Sequence, residues 1–101
     1  MKTFDFTKEQ FLEWLEKTDK TATKPPSRGC PMTLFLREMT GDDRIRSGTL
    51  GYVIHHDDTV TDEFIPFPEW AIKVPKVFDD WAIGKESVPA SDYRDWIKGA
   101  I

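Results

Sequence analysis

The residues able to do chemistry are few and scattered. Cys30 is the sole cysteine of the 101-residue chain, and His55 and His56 are its two histidines. Cys30 precedes Pro31, which can serve as the first residue of a helix, and a helix N-terminus lowers a thiol pKa. Arg28 would add to that effect. A nucleophilic thiol also needs a base, so a small thiol-dependent enzyme or redox protein would have to bring His55 or His56 to Cys30. Against this stands the ordinary use of a lone cysteine as a small packing residue before a helix.

His55-His56-Asp57-Asp58 contains metal-ligand residue types. Adjacent strand residues face opposite ways, however, and zinc needs three or four ligands. The sequence holds no second cluster at ligand spacing, so this run reads as a solvated hairpin turn, and no metal or cofactor is expected. Asp42-Asp43 after Gly41 lacks the glycine and closing glutamate of a calcium loop and reads as a turn. Asp79-Asp80 falls near a helix C-terminus, where acids are mildly unfavourable. An exposed partner contact is one reading of it. There is no glycine-rich phosphate loop, nucleophile elbow or dinucleotide fingerprint. No residue is assigned a catalytic role, and the expectation is a protein that is not an enzyme.

Charge narrows the partners. Eighteen acids against 14 bases leave a net charge of −4, which argues against nucleic acid and anionic membrane as partners. The acids are unevenly placed. Residues 42–69 sum to −5, with Asp42, Asp43, Asp57, Asp58, Asp62, Glu63 and Glu69 against Arg44 and Arg46. Residues 1–28 sum to +1. Lys17, Lys20, Lys24 and Arg28 form a weak basic string that could touch phosphate, the basis of a nucleic-acid-binding alternative through the 17–28 loop. An ordinary solvated loop is the simpler account.

One cysteine allows no internal disulfide, which excludes a disulfide-stapled secreted fold. No apolar run is long enough for a signal peptide or membrane span, and without Asn there is no N-glycosylation site. A cytoplasmic protein is the simplest expectation from these features.

The elements that must position these residues can be read from capping and periodicity. Thr7-Lys8-Glu9-Gln10 fits a capping box, with Phe6 and Phe11 at the positions of a hydrophobic staple. A helix follows over 8–18, with Phe11, Leu12, Trp14, Leu15 and Thr18 on one face. Residues 19–29, with Pro25-Pro26, form a loop or partly extended chain. Pro31 opens a second helix, with Met32, Phe35, Leu36 and Met39 on one face and Gly41 as its stop. Over 42–66 the chain reads as β: Leu50, Tyr52 and Ile54 alternate with Gly51, Val53 and His55, a turn falls at 56–58, and the return strand runs from Val60 to Ile65. Arg44–Ser47 adds a short third strand. Pro68 opens the longest helix, with Trp70, Val74, Val77, Phe78 and Trp81 as its apolar stripe and Pro75 on the opposite face as a kink. Gly84 ends it. Val88-Pro89 opens a last helix with Ala90, Tyr93, Trp96 and Ile97 on one face. The four tryptophans thus fall on apolar helix faces, and any ring left exposed would mark a partner surface.

This layout resembles small uncharacterised open reading frames of bacteria and their phages. The residues that carry the resemblance are Cys30-Pro31-Met32 with Leu36-Arg37-Glu38, then Phe67-Pro68-Glu69-Trp70-Ala71, then Val88-Pro89-Ala90. The resemblance covers residues 28–97 in pieces, and its motifs are helix starts. The chain departs from the pattern at Phe67, where the group has Leu, and at Pro75. The resemblance implies a phage or mobile-element origin. It implies no activity and transfers no functional residue.

The expected fold is α+β, one domain over 1–101, with four helices packed on a small antiparallel hairpin or three-stranded sheet. The expected function is a non-enzymatic, acidic protein-binding module acting on a host protein as an inhibitor would. Its partner would carry a basic surface, and a homodimer stays open. The contact residues expected from the acidic turn are His56, Asp57, Asp58, Asp62 and Glu63.

Overall fold

The computed structural model describes residues 4–23, 29–54, 64–81 and 83–101, the side chain of Trp81 excepted. These residues form α1 (Lys8–Lys17), β1 (Ala22–Thr23), α2 (Pro31–Thr40), β2 (Ile45–Ser47), β3 (Gly51–Ile54), β4 (Phe64–Pro66), α3 (Glu69–Trp81), β5 (Ser87–Val88) and α4 (Ala90–Ala100). The class is α+β, as the sequence indicates. Strands β2, β3 and β4 make an antiparallel meander in that order, while β1 and β5 pair as a separate two-residue ladder.

Local chemistry explains where each helix begins and ends. At α1 the Thr7 hydroxyl accepts the Gln10 amide at 3.1 Å, and the Gln10 side chain accepts the Thr7 amide at 2.7 Å. Two otherwise orphaned donors are thereby satisfied. Phe6 and Phe11 both close on Phe35, at 5.3 and 5.1 Å between ring centroids. At α2, Pro31 contributes the first helical residue without needing a donor, and Gly41 ends the helix at φ +71°. The Pro68 carbonyl accepts the first α3 amides, Ala71 at 3.0 Å and Ile72 at 3.1 Å.

α3 runs through Pro75 as one helix, but its buried face is rotated from the expected stripe. Ala71, Val74, Pro75 and Phe78 are buried, whereas Trp70 and Val77 are half-buried at the edges. Pro75 therefore faces the interior, not the opposite side. Large apolar side chains mark the expected stripe, but full burial falls also on small Ala71 and the compact apolar ring of Pro75.

The core is aromatic at its centre. Phe11 touches Trp14, Phe35 and Trp70 at 5.1–5.7 Å. Phe4 extends the cluster to Tyr52, Phe67 and Trp70 in edge-on contacts of 5.6–6.4 Å, the geometry that ring quadrupoles favour. The meander lays Ile45, Ser47, Tyr52 and Ile65 on this core, with α2 packed against β2.

The opposite face of the meander carries Arg46, Gly51, Val53, Phe64 and Pro66, as strand alternation requires. The Phe64 ring lies across Gly51, where an added Cβ would meet it at 2.5 Å. Leu50 does not continue the strand alternation. It sits in the turn closed by the Gly48 amide on the Gly51 carbonyl, and its side chain is 63% exposed.

Candidate functional site

The residues expected to contact a partner, His56, Asp57, Asp58, Asp62 and Glu63, lie outside the described residues, as does His55. What the structure describes is the platform they join. Their segment is covalently the connection from β3 to β4, and Phe64 is the first described residue after it. Phe64 is 55% exposed on the outer face of the sheet. Large aromatic side chains left half in water are uncommon in a chain that buries Phe11, Phe35 and Phe78 almost completely.

Cys30 stands just before α2, as the sequence places it, but it is buried. Its Sγ lies 3.6 Å from Thr33 Oγ1 and 3.5 Å from Ser47 Oγ, and the two hydroxyls bond each other. The thiol thus belongs to a small buried polar knot tying α2 to β2. Of the basic string, Lys17 pairs with Glu13 at 2.9 Å and Lys20 lies 3.7 Å from Glu38, while Lys24 and Arg28 fall outside the described residues. Among the described residues no three His, Cys, Asp or Glu side chains converge as metal ligands. Nor is any helix among them long and apolar enough to cross a membrane.

Of the tryptophans, Trp14 is buried, whereas Trp70 and Trp96 are half-buried. Lys85 Nζ sits 5.0 Å from the centre of the Trp96 ring, within cation–π range.

Sequence reasoning missed a cleft of about 350 Å³ between α1 and the end of α2. Gln10, Glu13, Trp14 and Lys17 form one wall at helical spacing, Thr18, Asp19 and Lys20 close the end, and Glu38 with Met39 face them from α2. The indole N–H of Trp14 donates to Glu38, linking the two sides of the cleft. Periodicity marked Trp14 and Met39 as apolar-face residues but could not bring Glu38 beside them, because the two helices meet only through tertiary packing.

No family model, no curated protein and no solved structure matches this chain.

Proposed function

We propose that this chain is a non-enzymatic protein-binding module that engages a basic protein surface through the outer face of the β2–β3–β4 sheet and the acidic β3–β4 connection. The observation that carries this reading is the exposure of Phe64, 55% open to solvent at the end of that connection. Asp57, Asp58, Asp62 and Glu63 stand in the connection without a compensating Lys or Arg between residues 55 and 63. An exposed aromatic anchor beside like charges suits a partner that offers an apolar pocket rimmed by Lys and Arg. Exposed Leu50 and half-buried Val53 extend the apolar part. The resemblance to bacterial and phage reading frames supports an accessory role against a host protein.

The test uses the immobilised chain with bacterial lysate, followed by titration of the purified retained protein. The native chain should retain a discrete protein with one-to-one stoichiometry and an affinity that falls with salt. Phe64→Ser should weaken that binding, as should reversal of Asp57, Asp58, Asp62 and Glu63 to Lys. Circular dichroism controls for the fold. Equal retention by both variants would overturn the reading.

A further inference from the structure

We infer that the cleft between α1 and α2 is a second contact site, a receptor for an arginine side chain. The inference rests on the reading that the partner is basic, and names a place where one of its side chains would seat. The cleft is at the small end of ligand-pocket sizes, suited to one long side chain.

Its charges are unequally satisfied. Glu13 is occupied by Lys17 at 2.9 Å. Glu38 spends one oxygen, Oε2, on the Trp14 indole and on Lys20, the latter at only 3.7 Å. Among the described residues, Glu38 Oε1 and the Asp19 carboxylate make no hydrogen bond or ion pair. The lining therefore offers two incompletely used carboxylates together with the apolar side chains of Trp14 and Met39, and Met39 is 45% exposed. A cation on an aliphatic stem complements both parts.

Guanidinium suits the site better than ammonium. Its planar fork can engage the second oxygen of Glu38 while the first keeps its bond to the indole. Its weaker hydration lowers the cost of lying against Trp14 and Met39. Lys20 is the competitor within the chain. Its pairing with Glu38 is long and half-exposed on both sides, which makes it weak and readily exchanged.

The probe is N-acetyl-arginine amide, with the citrulline amide as a neutral analogue of the same shape. The readout is the NMR resonance of the Trp14 indole N–H, identified by its loss in Trp14→Phe. The arginine compound should shift that resonance saturably and the citrulline compound should not. Lys20→Ala should tighten binding by about two- to fivefold by removing the competitor, and Glu38→Gln should weaken it by at least as much. Glu38→Gln keeps an acceptor for the indole, and Lys20→Ala alters only an exposed side chain, so both variants should keep the fold, which circular dichroism checks. Absence of a saturable shift, an equal response to citrulline, or no change in Lys20→Ala would each overturn the inference. Partner capture through the sheet face is measured separately with the Phe64 and acidic-connection variants. Its success would survive failure of the cleft, and its failure would not be mimicked by the amide titration.

Discussion

Arg94 on α4 caps the C-terminus of α1 through Leu15: its Nε donates to the Leu15 carbonyl at 2.8 Å. A second bond runs from Nη2 to the Thr18 carbonyl, also at 2.8 Å. The last carbonyls of a helix have no partner within it, and a cation near that end also opposes the negative pole of the dipole. α1 supplies one wall of the cleft, so the cap holds the cleft's geometry as well as the helix.

Loss of this cap should be costly. Arg94→Met keeps the stem and removes both charge-assisted bonds, and should cost about 2 kcal/mol. Arg94→Lys retains the charge but not the fork, and should recover less than half of the loss. Urea unfolding measures both, and a change below about 0.5 kcal/mol for Arg94→Met would contradict the assignment.

Tyr93 and Tyr52 predict the alkaline limit of stability. Burial raises both phenols above their ordinary value of 10.0, with Asp5 adding to the rise at Tyr52. The fold thus favours the neutral phenol. Its stabilising contribution is complete below pH 10 and is lost as pH rises through the raised values. Ionisation would also remove the Tyr93 hydroxyl proton donated to the Lys20 carbonyl at 2.7 Å. Stability should hold to about pH 10 and then fall. Absorbance near 295 nm, an ordinary tyrosinate signal, should appear together with unfolding. Tyr93→Phe should be less stable at neutral pH by about 1 kcal/mol, with a shallower alkaline decline.

The knot of Cys30, Thr33 and Ser47 predicts both reactivity and stability. Because Cys30 is 1% exposed, a disulfide reagent should label it only as fast as the protein opens, and immediately in denaturant. Thr33→Val leaves the Ser47 hydroxyl without its closest partner and should cost about 1–3 kcal/mol. Rapid labelling of the native protein would contradict the burial described.

Gly51 and Phe64 separate folding from binding. An alanine methyl at residue 51 would lie 2.5 Å from the Ile65 carbonyl oxygen and 2.5 Å from the Phe64 ring. The ring can swing away, but the strand backbone cannot. Gly51→Ala should therefore destabilise the chain by about 1–3 kcal/mol, whereas Phe64→Ser should change stability by much less. Thermal melting of the two variants checks the difference.

Much of this architecture follows from neighbours in the chain. The Thr7–Gln10 box, Pro31 before α2, Gly41 at φ +71° and the alternation around Tyr52 depend on interactions within a few residues. The separate β1–β5 ladder was not legible, because two residues at Ala22–Thr23 pairing with Ser87–Val88 leave no local period. Pro75 misled for another reason: the stripe of large apolar residues put it on the opposite face, but it is buried.

The candidate surfaces divide along the same line. The amino-acid sequence by itself determined the acidic β3–β4 connection, since charge is carried by residue identity, and it determined the α+β class, since caps and periodicity act locally. Only the tertiary structure decided that Cys30 meets Thr33 and Ser47, that Phe64 faces solvent, and that Trp14 meets Glu38 across a cleft. Those contacts join segments whose spacing in the chain carries no signal of their proximity. Burial of the shared aromatic core brings them together.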